Sequence, residues 1–193
     1  MSDDFVNHIL DNLIGVEGKY SNNPLDKGGE TMWGITIDTA RAYGYTGEMK
    51  DLPRDKAFEI YKKNFYYLPG FDKVALMSQL LAEELFDSGV NFGPPVAVMW
   101  LQRWLNVYNR RRADYKDLTF TPTVDLHTIG ALREYLNKRG SEGEMVLLTS
   151  LNCSQGHRYL ELAEGREANE AFIYGWVRQR VFHQMREAIE ENA

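Results

Sequence analysis

Between Gly18 and Gly34 the sequence reads GKYSNNPLDKGGETMWG, so dense in glycine, proline, asparagine and aspartate that no helix can run through it. Ahead of it, Phe5, Val6, Ile9, Leu10 and Leu13 recur at three- and four-residue steps, which predicts an amphipathic helix over 3–16, ending near Gly15 or Gly18. The turn-rich stretch is therefore a loop or short irregular hairpin entered directly from a helix. Glu17 stands at that helix's C-terminal edge.

Helical periodicity returns beyond the loop. Residues 35–43 predict a short helix, and Asp51-Leu52-Pro53 opens another that runs to about Tyr67, with Pro53 suited to the first turn and Pro69-Gly70 ending it. Val74, Met77, Leu81 and Leu85 mark a helix over 74–91; after Phe92-Gly93-Pro94-Pro95 a further helix over 96–109 should form a hairpin with it. Residues 110–124 are polar and irregular, Asp125 suits the N-cap of a helix through Leu136, and Gly140-Ser141 leads into two long helices broken near Gly165. No strand longer than a few residues is expected outside the early loop. The fold class is mainly α, with a small irregular loop or β element after the first helix.

Composition narrows the chemistry. The 193 residues, 44% of them apolar, can fill one large core or two small ones. The single cysteine, Cys153, cannot form an internal disulfide, and no zinc-type spacing surrounds the histidines, so neither metal nor cofactor is expected. His8, His127, His157 and His183 read as ordinary surface or capped side chains. A net charge of −6 argues against nucleic-acid binding, which needs a positive field to displace counterions. A local exception is RWLNVYNRRRADYK, Arg103–Lys116, with five basic residues against one acid. It reads first as a solvated helix end and second as a patch for an anionic polymer such as cell wall. No apolar run approaches the roughly 20 residues of a membrane span, and the opening MSDDFVNHIL is acidic, then amphipathic, unlike a signal peptide. The expectation is a chain held in the cytoplasm, without stable membrane insertion, whose route to an outside substrate is opened by something else.

Glycosidic cleavage needs a protonated carboxyl beside the leaving oxygen and usually a second carboxylate to steer water or form a covalent intermediate. Glu17 and Asp26 are candidates. A glutamate at a helix end against Tyr20 and Trp33 would be desolvated, whereas an aspartate in a polar Gly-rich loop would stay ionised. The nine-residue step between them lets a tight loop fold back, with Pro24 and Gly28-Gly29 supplying stiffness and positive φ, and Thr31 follows where it can hold a water. Taken one at a time these residues say little, since a glutamate at a helix end is usually a solvated carboxylate and Asp-x-Gly-Gly commonly just a turn.

The whole string EGKYSNNPLDKGGETMWGIT, Glu17–Thr36, says more. It resembles the E-G-G-Y-x-N-x-P-x-D-x-G-G-x-T-x-x-G-I-T signature of glycoside hydrolase family 108, a family of phage endolysins and of proteins once labelled secretion activators. Glu17, Gly18, Tyr20, Asn22, Pro24, Asp26, Gly28, Gly29, Thr31, Gly34, Ile35 and Thr36 all fall on it; Lys19 stands where glycine is usual. DSGVNFGPPVAVMWLQRWLNV, residues 87–107, is similar to the start of the family's C-terminal, peptidoglycan-binding part. Thr123-Val124-Asp125 and Ile129-Gly130-Ala131-Leu132 match that part loosely, and FIYGWVRQR, Phe172–Arg180, resembles its closing F-x-x-G-W-x-x-R.

The resemblance implies a lysozyme-like helical fold, a catalytic part over 1–92 and a peptidoglycan-binding-like part over 93–193 packed against it. It implies N-acetylmuramidase activity on the β-1,4 bond between N-acetylmuramic acid and N-acetylglucosamine. An E…D…T arrangement like that of phage-T4-type lysozymes then lands on Glu17 as proton donor, Asp26 as base or electrostatic stabiliser, and Thr31 as water or substrate positioner. Tyr20, Asn22 and Trp33 are the candidate sugar-binding residues. Peptidoglycan strands are the implied partner, a holin would give access, and the chain is expected to act as a monomer.

Other conspicuous residues have plainer readings. Glu30 is a runner-up for the second carboxylate but occupies a variable position of the pattern. Tyr66 and Tyr67 would stack on sugars only if they left the core, and Trp100, Trp104 and Trp176 are most economically core. Asp87 and Asn91, one turn apart in an apolar helix, either face water or hydrogen-bond something buried, with Ser88-Gly89 letting another backbone come close. Two rival functions remain: a noncatalytic wall-binding or secretion-assisting protein, which has no need of a carboxylic acid beside a paired aspartate, and a lytic transglycosylase, which has no need of Asp26.

Overall fold

A computed structural model describes residues 5–11, 20–22 and 29–182. Glu17 and Asp26 lie outside these residues. The chain divides into two compact units, 1–67 and 68–193. As expected, the fold is mainly α and lysozyme-like, with one small β element after the first helix.

In the first unit, helix α1 (described over 5–11) buries Val6, Ile9 and Leu10 on one face, as its apolar spacing requires, and its Asp11 accepts a 2.7 Å bond from Arg54. The turn-rich stretch ends in a hairpin. Strand β1 (Thr31–Met32) pairs antiparallel with β2 (Ile35–Thr36), Thr31 opposite Thr36 and Met32 opposite Ile35. The two connecting residues, Trp33 and Gly34, have φ of 56° and 72°, the left-handed pair that two-residue hairpin loops favour because it matches strand twist. The expected helix over 35–43 gives its first two residues to β2. Thr36 then caps α2 (Ile37–Ala42), its hydroxyl accepting from Thr39 N–H at 3.3 Å. Helix α3 (Arg54–Tyr61) starts behind Pro53 and widens into a π-helical turn, Lys62–Tyr67. Ile35, Met49, Leu52, Ala57 and Ile60 are among the first unit's buried apolar residues.

The second unit is helical throughout its core: α4 (Phe71–Ala75), α5 (Gln79–Phe92), α6 (Pro94–Tyr108), α7 (Leu126–Glu164) and α8 (Glu170–Trp176), followed by a π-helical turn, Val177–Phe182. The helix predicted over 74–91 is two helices, because Ser78 is extended and its hydroxyl caps α5 through Leu81 N–H at 3.0 Å. Helix α6 begins with Pro94 and Pro95, in the first turn where a missing N–H costs nothing. Gly89 does let a backbone approach: a Cβ there would sit 3.2 Å from the Phe71 ring and 3.4 Å from Pro94 Cα. Asp125 is the N-cap expected of it, accepting from Thr128 N–H (2.8 Å) and the Thr128 hydroxyl (2.7 Å). Helix α7 continues past Leu136, with a non-helical joint at Gly140 (φ 59°, ψ −150°) where the sequence placed a break. Of the last helix expected, after Gly165, the described residues show α8 and its π-helical continuation to Phe182.

The irregular segment after α6 contains three successive left-handed residues, Arg110, Arg111 and Arg112 (φ 47°, 63°, 67°). Each costs roughly 1–2 kcal/mol for a residue with a Cβ. Buried Asn109 holds the turn closed: its Oδ1 accepts from Asp114 N–H (3.2 Å) and Tyr115 N–H (3.1 Å), and its Nδ2 donates to Tyr115 C=O (2.6 Å). Two arginines of the basic run, Arg110 and Arg112, are spent locally. Asp114 accepts from Arg110 and Lys138, which draw its pKa down to about 2, and Arg112 pairs with Asp117 at 2.6 Å.

Gly70 precedes α4 with φ 86°, and a Cβ there would lie 3.1 Å from both Cβ and C=O of Val124, whose N–H donates to Pro69 C=O at 2.8 Å. Gly70→Ala therefore combines left-handed strain with a backbone clash and is expected to lower stability by about 2 kcal/mol. Thermal unfolding checks it; an unchanged midpoint would refute this account of the α4 start.

Candidate active site

The stretch 22–30, which contains Asp26 and Glu30, begins and ends beside two residues paired by backbone. Ser21 N–H donates to Thr31 C=O and Thr31 N–H to Ser21 C=O, both at 2.9 Å, so Ser21, Thr31 and Thr36 lie side by side across three short antiparallel segments. Ile37 N–H donates to Glu30 C=O at 2.8 Å and fastens the other side of the same corner. Gly29, with φ 67°, packs against the Ile37 side chain.

Strand alternation sorts the side chains. Met32 and Ile35 share one face and Ile35 is buried, so Thr31 and Thr36 occupy the face away from the core. Thr31 is half-buried there. Tyr20 and Asn22, flanking Ser21, are exposed, Tyr20 at 42% of its surface. The structure thus brings Tyr20, Asn22 and Thr31 to one corner of the first unit. Glu30, the runner-up carboxylate, is half-buried beside Thr31. Glu17 precedes Tyr20 by three residues, and Asp26 belongs to the nine-residue stretch closed by the Ser21–Thr31 pair; both are outside the described residues.

Trp33 is held as a structural part of the hairpin. Its indole N–H donates to Leu52 C=O at 2.8 Å, and its own C=O accepts from the Tyr61 hydroxyl at 3.1 Å. These two bonds fix a left-handed tryptophan over the 3₁₀ turn (Met49–Asp51) and α3. Any sugar contact of Trp33 would have to use the part of the ring that this anchoring leaves open.

In the second unit α5 carries carboxyls into the core. Asp87 accepts from Gln155 of α7 (2.6 Å), from Asn91 (3.3 Å) and from Arg180 of the C-terminal turn, so the buried partners foreseen for the Asp87 and Asn91 pair are these. Glu84 is 1% exposed; its Oε1 accepts from the Ser88 hydroxyl at 2.9 Å, and its Oε2 has no hydrogen-bond partner among the described residues. Burial, reinforced by the Asp87 charge and only partly opposed by Ser88, raises the Glu84 pKa well above that of an ordinary carboxyl. Among the described residues, no group of three or more His, Cys, Asp or Glu side chains is placed to hold a metal ion, and no helix is long and apolar enough to cross a membrane.

Residues 10–93 match the family model described as Glycosyl hydrolase 108, and residues 96–181 match the Predicted Peptidoglycan domain. Residues 10–93 are a glycosyl hydrolase 108 domain. The segment contains Glu17, Asp26, Thr31 and the hairpin, and the peptidoglycan segment begins at the first turn of α6. The chain is therefore a glycoside hydrolase that acts on peptidoglycan, with peptidoglycan as its partner. The solved structure of SagA from Brucella abortus has the same fold: 22% identical, it matches over 97% of this chain and 95% of its own length with a TM-score of 0.66. No curated protein matches the sequence.

Sequence reasoning had no signal for Glu84, whose single acidic side chain is indistinguishable from neighbouring Glu83 until burial is known. Because the folded state binds its proton more tightly than the unfolded chain, Glu84 lends full stability below the unfolded pKa near 4.5, and that stability declines as pH rises from there toward the folded value. Denaturation of wild type and Glu84→Gln across pH 4 to 8 is expected to show the variant gaining on wild type as pH rises, by up to about 1.4 kcal/mol per pH unit. A pH-independent difference would contradict the buried, protonated assignment.

Proposed function

We propose that this chain is an N-acetylmuramidase, hydrolysing the β-1,4 bond between N-acetylmuramic acid and N-acetylglucosamine. Glu17 donates the proton to the leaving oxygen. Asp26 acts as base or as electrostatic stabiliser of the oxocarbenium-like transition state, and Thr31 positions water or substrate. The observation that carries the proposal is the ordered run of twelve residues from Glu17 to Thr36 on the family signature, inside the glycosyl hydrolase 108 segment. The exposed Tyr20 and Asn22, and a Thr31 turned away from the core, support a glycan lying along this corner.

Cleavage needs one carboxyl that starts protonated and a second that starts ionised, and Glu17 and Asp26, nine residues apart, supply the pair. A protein that only held glycan would need neither state.

Glu17→Gln keeps the shape and loses the proton. Turbidity of permeabilised Gram-negative cells is expected to stay flat with this variant while wall sedimentation is unchanged; residual activity above about a hundredth of wild type would remove Glu17 from the role, since general acids contribute at least about a hundredfold. Asp26→Asn is expected to be strongly impaired and Glu30→Gln close to normal in the same assay. The reverse ranking would move the second carboxylate to Glu30.

A further inference from the structure

On the second unit, α6 and α7 enclose a half-open groove of about 700 Å³ that no step of the proposed cleavage uses. It lies entirely within the segment matched as a peptidoglycan domain. We propose that this groove binds the peptide-bearing disaccharide unit of peptidoglycan and recognises it by the carboxylates of the stem peptide. The proposal rests on the peptidoglycan reading and adds a place and a chemistry to it.

The floor is apolar and aromatic. Trp104 is half-buried, stacked on Tyr108 at 5.5 Å between centroids, with its indole N–H donating to the Ser154 hydroxyl at 2.9 Å. Both tryptophan polar and planar ends are therefore fixed before a ligand arrives, and a rigid indole is a surface on which pyranose rings and alanine side chains pack with little ordering cost. Val107, 70% exposed at one end of the groove, is an apolar side chain left in water by the free protein. The volume falls in the range of sites that enclose ligands of a few hundred daltons.

The rim selects charge. The lining includes Arg103, Arg158 and His157 and one acid, Glu161. Arg158 donates to Glu161 at 2.8 Å and His157 lies 3.5 Å from it, so Arg158 and Glu161 are spent on each other. Arg103 is exposed and pairs with no carboxylate among the described residues. On a chain of net charge −6, an unpaired Arg103 beside an aromatic floor is complementary to an anionic, amphipathic ligand. Stem peptides supply such carboxylates; a bare glycan of N-acetylglucosamine does not.

The chain's single cysteine, Cys153, is exposed and lines this groove, so it reports occupancy without any engineered probe. The full-length protein is treated with a fluorescent maleimide, alone and with disaccharide-tetrapeptide released from purified wall, and in parallel with the bare disaccharide of N-acetylglucosamine, which carries no carboxylate. The expected result is slowed labelling by the disaccharide-tetrapeptide and little effect of the bare disaccharide. Arg103→Glu, at an exposed position that leaves the fold intact by circular dichroism, is expected to raise the half-protecting concentration at least about tenfold, and Arg103→Lys to restore much of it. Equal labelling rates with and without disaccharide-tetrapeptide overturn the groove assignment, and wall clearance by the same sample would then leave the hydrolase reading standing. Protection without wall clearance would keep the groove and sink the muramidase. Protection that depends on protein concentration rather than added saccharide would mean that a second copy occupies the groove, which also overturns the proposal.

Discussion

The two backbone hydrogen bonds between Ser21 and Thr31 are the constraint on which the candidate catalytic corner depends. Closing the nine residues between them costs at least about 2 kcal/mol of chain entropy, and two backbone hydrogen bonds contribute only about 1 kcal/mol each. The pair alone would barely hold. It holds because Thr31 is also paired to Thr36, because the Trp33-Gly34 turn adopts the left-handed geometry that keeps those strands in register, and because Trp33 is tied to Leu52 and Tyr61. The ribbon thus holds Ser21, Thr31 and Thr36 in register on an otherwise helical scaffold.

The second unit takes its order from an acid. Asp87 in the middle of α5 is accepted into the core because Gln155, Asn91 and Arg180 surround it, drawing α7 and the C-terminal turn onto α5. Removing one such partner would leave a buried charge, which is far costlier than the net gain of the pair. Glu84, one turn earlier, is buried where its proton is held more tightly than on an ordinary carboxyl. The two matched segments meet at 93–96, where Gly93 and Pro94 turn α5 into α6, so the hydrolase segment's last helices and the peptidoglycan segment share one compact unit.

Where a single residue type dictates local geometry, the sequence was legible: Asp125 as a cap, Gly140 and Gly165 as joints; Pro94-Pro95 marked the break, but they open α6 rather than precede it. The break at Ser78 was hidden because Val74, Met77, Leu81 and Leu85 keep helical spacing across it; periodicity reports the buried face and is blind to one non-helical residue. Arg110–Arg112 were hidden for the opposite reason, since no glycine marks their left-handed turn and the buried Asn109 that holds it looks like any helix-end asparagine. The candidate carboxylates were legible only through the whole Glu17–Thr36 string. The α6–α7 groove was not, because Trp104 and Ser154 are 50 residues apart and only packing makes them neighbours.

The central claim is hydrolysis by a glutamic acid working with a second carboxylate, and the chemistry of the cut ends tests it most directly. Purified wall digested to completion and analysed by mass spectrometry should yield muropeptides ending in reducing N-acetylmuramic acid, each carrying the added water. Products ending instead in 1,6-anhydro-N-acetylmuramic acid would show that the sugar's own hydroxyl, not water steered by Asp26, completes the reaction, and would contradict the account.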